Sequence, residues 1–154
     1  MNIKPIDLTV RVYGIFMTPE RHLLLTDEFC MGQRMTKFPG GALQLGEGPE
    51  DCLKRECKEE LGQEVSIEGH LYTTGFYQPT WMLPEPRQLI SIYYRIHIPE
   101  PFAFRVSAHS YDFGEEVEGA QAFRFMPLDG IEEEELTFPI DRYVLGLLQG
   151  RIRG

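Results

Sequence analysis

Three glutamates and an arginine fall within six residues, Arg55, Glu56, Glu59 and Glu60, in the stretch Gly41 to Gln63, GALQLGEGPEDCLKRECKEELGQ, with Glu47 ahead of them. Read as a helix at about 100° per residue, this segment puts Glu56, Glu59 and Glu60 on one face. Leu53, Cys57 and Leu61 form an adjoining apolar stripe, and Asp51, Lys54 and Lys58 face water. At roughly 6 Å and an effective dielectric of about 20, each pair of like charges on the acidic face repels by about 3 kcal/mol. Arg55 can pair with Glu59 at i+4, but one guanidinium does not neutralise three carboxylates. A hard divalent cation does. Carboxylate oxygens with no histidine or cysteine at ligand spacing suit Mg²⁺ or Mn²⁺ rather than zinc. An acidic helix met alone is more often a solvated face, so the rest of the pattern has to decide.

The elements that must position this face are legible in part. Pro49 suits the first turn of the helix and Gly62 its stop. Leu8 to Met17 and His22 to Thr26 read as strands joined at Thr18-Pro19-Glu20, a hairpin. Asp27 to Lys37 is polar and mixed and reads as a loop leading into Phe38-Pro39-Gly40-Gly41, where adjacent glycines let backbone approach a ligand closely. Val65 to Thr74 is a strand. Phe76 to Arg87, with Pro79, Pro84 and Pro86, is a loop, and Gln88 to Ile98 is the most β-like segment, placed centrally. After an acidic loop with Glu115, Glu116 and Glu118 comes a last strand, Gln121 to Met126. Asp129 to Glu135 begins a short helix, and a closing helix runs from Pro139 to Gly150 with Ile140, Val144, Leu147 and Leu148 on one face. Strands, helix, strands, helix predicts an α+β or layered α/β/α domain.

Gly41, Glu47, Arg55, Glu56, Glu59, Glu60 and Gly62 together resemble the signature of the Nudix hydrolase family. Cys57 fills an apolar slot as a small hydrophobe. Gln63 stands where an aliphatic residue is usual, and Gln44 where many members carry an acid. The resemblance implies an α+β Nudix fold, a mixed β-sheet sandwiched between helices, as one domain over residues 1–154. It also implies water attack on a phosphorus of a nucleoside diphosphate linked to another moiety: a nucleotide sugar, a dinucleotide or a modified nucleoside triphosphate. By that resemblance Glu56, Glu59, Glu60 and the Gly41 carbonyl hold Mg²⁺ or Mn²⁺. Arg55 keeps a neighbouring carboxylate in register, and Glu47 supports the loop or an outer shell of the metal. The general base is Glu56 or a carboxylate of the later loop, Glu118 first and Glu116 next. A non-catalytic nucleotide-binding module of the same fold is the alternative, disfavoured by the complete acid set. An isomerase of prenyl diphosphates is disfavoured for want of a histidine or cysteine beside the box.

Composition sets the bounds. The chain has 154 residues and a net charge of -9, which opposes binding to nucleic acid or an anionic membrane without help. Cys30, Cys52 and Cys57 lack CxxC spacing and read as reduced thiols. MNIKPIDLT has no apolar run suited to a signal peptide, so a cytoplasmic protein is expected. Homodimers are common in the family, and the residues leave that open. Trp81, with Phe76 and Tyr77, could stack a nucleobase, although loop aromatics more often pack the loop down. Arg11, Arg34, Lys37 and Arg87 could each touch phosphate, although each alone reads as a surface charge. Pro79 falls near a position that marks ADP-ribose-type members, a hint toward nucleotide sugars. The four histidines share no spacing and receive no role.

Overall fold

The computed structural model describes residues 4–80 and 83–154. Among these residues seven strands form two sheets. One carries β4 (Gly40–Ala42), β1 (Leu8–Ile15), β6 (Gln88–His97) and β5 (Ser66–Thr73) in that order; the other carries β3 (Gln33–Lys37), β2 (His22–Cys30) and β7 (Gln121–Pro127). β1 and β6 run parallel, with Leu8 opposite Gln88 and Ile15 opposite Arg95, and the other neighbours are antiparallel. The fold is mixed α+β, and β6 is an inner strand, as its β-branched and aromatic content implied.

Alternation along the inner strands gives the β layer two apolar faces. Tyr13, Ile15, Leu23, Leu25 and Tyr93 pack with Ile140, Val144 and Leu145 of α2 (Pro139–Leu148). Val12, Leu24 and Ile96 pack with Cys52, Leu53, Cys57 and Leu61 of α1 (Pro49–Leu61). Each helix therefore covers one face. α1 is stopped by Gly62, whose φ of 74° is one that side chains rarely adopt and whose N–H reaches back to Lys58 O.

Four local readings change. Thr18 to Arg21 does turn the chain, and Met17 bridges Leu23 antiparallel, with Thr18 N–H donating to His22 O at 2.9 Å and Leu24 N–H to Phe16 O at 3.0 Å, but β1 itself and β2 join different sheets. The hairpin is therefore confined to the residues next to the turn, and the chain then crosses between sheets. Asp27 to Lys37 is not a loop: β2 continues to Cys30 and returns as β3 through Met31 and Gly32, both at positive φ, as a two-residue hairpin turn requires. Three of its polar residues, Asp27, Thr36 and Lys37, hid the strand because they are buried. Asp27 is wholly buried and takes Arg124 Nε at 2.7 Å and Thr36 Oγ1 at 2.7 Å. On α2, Leu145 rather than Leu147 is fully buried, because that helix packs across a wider face than a single stripe. Asp129 to Glu135 holds two separate 3-10 turns, Leu128–Gly130 and Glu133–Glu135.

Candidate active site

α1 begins after the loop that closes β4, and this brings its acidic face over Gly40 and Gly41. A Cβ on Gly41 would lie 2.5 Å from each carboxylate oxygen of Glu56. Only glycine lets that side chain rest on the strand. Arg55 organises the loop. It donates to Glu47 through Nε at 2.9 Å and Nη2 at 2.7 Å, to Glu56 Oε1 through Nη1 at 3.0 Å, to Glu59 Oε2 at 3.3 Å and to the Ala42 carbonyl at 3.1 Å. Glu47 in turn accepts from the Gln44 N–H at 2.8 Å, so it ties the loop to the helix; its hydrogen bonds with Arg55 hold its pKa down at about 2. The i, i+4 pairing with Glu59 exists, but the fork to Glu47 is the shorter contact.

Glu60 lies on the other side of Gly40 and accepts from its N–H at 3.4 Å. Its Oε1 is 3.9 Å from Lys37 Nζ, which also lies 3.5 Å from Glu28 Oε2 and donates to Gly40 O at 3.2 Å. Lys37 is not the surface charge its residue type suggested: it is 4% exposed. Burial opposes its charge, yet Glu60, Tyr13 and Glu28 outweigh burial and raise its pKa, while burial pushes that of Glu60 up. Glu28 is a member of this cluster that the sequence did not single out, because it sat in the segment read as loop.

All the candidate ligands offer oxygen, and the nearby thiols are out of play: burial pushes Cys52 and Cys57 up to about 12. The donor chemistry thus fits a hard divalent cation, and the missing Cβ of Gly41 lets the Glu56 carboxylate sit against the backbone. Among the described residues, no three histidine, cysteine or carboxylate groups are gathered tightly enough to enclose an ion by themselves. Arg55 and Lys37 instead partner the acids, and Glu59 keeps 60% of its side chain exposed.

A cavity of 230 Å³ opens beside the cluster, between β1, β6, the β2–β3 hairpin and the start of α2. Arg11, Lys37 and Glu28 form one edge, and Tyr13, Tyr93, Leu89, Pro79 and Ile140 much of the wall. Arg11 Nε donates to Tyr13 Oη at 2.6 Å, and both Arg11 and Lys37 lie over the Tyr13 ring. Asp141 also lines the cavity. It is 1% exposed, accepts from Tyr93 Oη at 2.5 Å through Oδ1, and its Oδ2 has no close hydrogen-bond partner among the described residues. Burial raises its pKa to about 6. Asp141 escaped the sequence reading because an acid in the first turn of a helix reads as ordinary dipole compensation.

The remaining sequence candidates lie elsewhere. Glu118 accepts from the N–H groups of Met31, at 2.7 Å, and Gly32, at 3.5 Å, on the β2–β3 turn. Glu116 forks with Arg34 at 2.8 and 2.9 Å, and Arg87 pairs with Asp7. Phe76 packs edge-on to Tyr143 and Tyr77 is exposed. Trp81 lies outside the described residues.

The model of the NUDIX domain matches residues 7–147. The chain is 34% identical over 88 residues to a protein of Haemophilus influenzae named 8-oxo-dGTP diphosphatase, an alignment covering 51% of this chain and 60% of the relative. It is 32% identical over 93 residues to an Arabidopsis thaliana protein named pre-mRNA cleavage factor Im 25 kDa subunit 2, covering 58% and 45%. The matches thus span less than two thirds of either relative's length. Among solved structures, a NUDIX hydrolase from Nitrosomonas europaea superposes with a TM-score of 0.64 at 16% identity, over 93% of this chain and 89% of that one, which shows a shared fold. With the NUDIX domain model matched over residues 7–147 of its 154, this chain belongs to the NUDIX family.

Proposed function

We propose that this chain is a cytoplasmic, Mg²⁺-dependent pyrophosphohydrolase, with Mn²⁺ as a substitute, cleaving a nucleoside diphosphate linked to another moiety. One observation carries the reading: a carboxylate face held over the glycine backbone by Arg55 borders a cavity whose near edge is cationic and whose wall is apolar. Glu56, Glu59, Glu60 and the Gly41 carbonyl would hold the cation. When bound, it supplies positive charge against the phosphates and a more acidic water. The protein's own groups do the rest. The cavity takes the nucleoside against Tyr13 and Tyr93, with Asp141 as its polar floor. Arg11 and Lys37, at the edge, face the phosphates and offset the charge of an otherwise acidic chain. Water attacks one phosphorus, a carboxylate takes its proton, and the bridging P–O bond breaks with the other phosphate leaving. Glu56 is the first candidate for that base, because Oε1 is held by Arg55 while Oε2 has no donor among the described residues. Glu118 is the second, and its bonds to the β2–β3 turn favour a positioning task instead.

A non-catalytic nucleotide-binding module is the second reading, favoured by the way Arg55 and Lys37 already partner the acids. Phosphate release from a panel of nucleoside triphosphates, sugar nucleotides, dinucleotides and ADP-ribose, coupled to alkaline phosphatase with and without Mg²⁺, separates the two. Metal-dependent release that falls at least about 100-fold in Glu56→Gln and Glu59→Gln, both folded, supports the enzyme. Silence across the panel with nucleotide still binding supports the module.

A further inference from the structure

The buried amine of Lys37 lies among oxygens from three elements. Its Nζ donates to Gly40 O of β4 at 3.2 Å and stands 3.5 Å from Glu28 Oε2 of β2 and 3.9 Å from Glu60 Oε1 of α1. The Tyr13 ring covers it from another side, with Nζ 5.8 Å from the centroid. Two carboxylates and a backbone carbonyl are a donor set that a hard divalent cation takes, with water completing its shell. Here the chain itself supplies the cation, on a four-carbon stem.

The neighbours show how much depends on that charge. The side chains of Glu60 and Glu28 are 12% and 19% exposed, so water screens them poorly. Their other printed partners are neutral: Glu60 Oε2 accepts from the Gly40 N–H at 3.4 Å, and Glu28 Oε2 from Gln121 Nε2 at 3.2 Å. Arg55 is committed to Glu47, Glu56 and Glu59, and Arg11 Nε to Tyr13 Oη. Among the described residues, Lys37 is the one cation in ion-pair contact with Glu28 or Glu60. Taken away, it leaves two carboxylates facing one space beside a carbonyl, and the charge that restores the balance has to come from solution.

We infer that the Lys37 ammonium stands in for a divalent cation: it fills a place between Glu28, Glu60 and the Gly40 carbonyl that free metal would otherwise take. Glu60 is then shared between this tethered cation and the exchangeable one held with Glu56 and Glu59. The inference rests on the reading above for the exchangeable ion, whereas the Lys37 place is argued from its own contacts. A charge that is permanently in place needs no loading, so wild type fills its site at a lower free-metal concentration than a chain that has to fill both places from solution.

The test counts bound Mn²⁺ by electron paramagnetic resonance, without nucleotide, in wild type, Lys37→Gln, Glu28→Gln and the double variant. Lys37→Gln should bind one more Mn²⁺ per chain than wild type, and Glu28→Gln as many as wild type. The double variant should lose the extra ion or hold it at least about tenfold more weakly. Because Lys37→Gln leaves two acids without their cation, its folding is followed by circular dichroism. Should it be unfolded in metal-free buffer, Mn²⁺ should refold it, and choline chloride at the same ionic strength should not. Three results would each overturn the inference: an unchanged count in folded Lys37→Gln, an unfolded variant that Mn²⁺ does not restore, or a wild-type count that falls in Glu28→Gln, which would make Glu28 a ligand of the exchangeable ion. The count needs no turnover, so the two readings fail separately. An extra ion in Lys37→Gln without hydrolysis by wild type would keep the tethered cation and remove the hydrolase; metal-dependent hydrolysis by wild type without an extra ion in the variant would do the reverse.

Discussion

Asp141→Asn should make this protein more stable at neutral pH, although it replaces a buried group that accepts a hydrogen bond. Asp141 is 1% exposed and satisfied on one oxygen by Tyr93, with no close hydrogen-bond partner for the other among the described residues. Burial, the dominant cause, raises its pKa from 3.8 to about 6 against the opposing pull of Tyr93, Lys37 and Arg11. A raised acid favours the protonated folded state, so its contribution is fully present below pH 3.8 and is lost as the pH climbs to about 6. Above that the loss is complete, and the displacement corresponds to about 3 kcal/mol. Asparagine keeps the acceptor for Tyr93 and carries no charge to bury. Urea unfolding of both proteins at pH 4 and pH 7.5 is the assay. The variant should gain roughly 1 to 3 kcal/mol on wild type between the two pH values, with Tm rising by about 2–4 °C per kcal/mol at the higher one. Other titrating groups cancel in the comparison. A difference that does not change with pH, or a variant that is the less stable at pH 7.5, would refute the assignment. A stabilised variant that loses substrate affinity would show why the acid is kept: stability is given up at a site that meets a ligand.

Other outcomes follow from the same geometry. Gly41→Ala should leave the fold intact but displace Glu56, since the new methyl falls 2.5 Å from its oxygens; turnover should drop at least about 100-fold while circular dichroism stays unchanged. Glu47→Gln should loosen Arg55 and thereby Glu56, weakening Mg²⁺ activation by roughly 10-fold or more. Combined with Arg55→Lys it should cost little further, which a double-mutant cycle on the Mg²⁺ dependence will read. Asp27→Ala should lose about 3–5 kcal/mol in urea unfolding, because Arg124 would be left buried with Glu135, 3.1 Å away and partly exposed, as its remaining carboxylate partner among the described residues.

Particular residues show how far the sequence carried. The face formed by Glu56, Glu59 and Glu60, the stripe of Leu53, Cys57 and Leu61, and the Gly62 stop were all readable, and so was the inner strand Gln88–His97. Helix and strand periods act over a few residues, so spacing alone assigns faces. The β2–β3 hairpin was not readable, because Asp27 and Thr36 look like loop residues until Arg124, 97 positions away from Asp27, supplies their company. Asp141 was missed as a site residue, and Lys37, named as a possible phosphate contact, read as a surface charge, for a related reason: their surroundings come from other elements, Glu28 and Glu60 for Lys37 and Tyr93 for Asp141.

What the sequence determined by itself, then, is the local chemistry of one loop and helix: oxygen donors on a common face, an arginine to order them, and glycine where backbone and carboxylate meet. Tertiary structure alone decided the surroundings. It set the apolar cavity beside those carboxylates and buried Lys37 at its edge. The physical reason is that a cavity is bounded by elements distant in the chain, and burial, which fixes the cost and the protonation of each charged group, is a property of the packed whole.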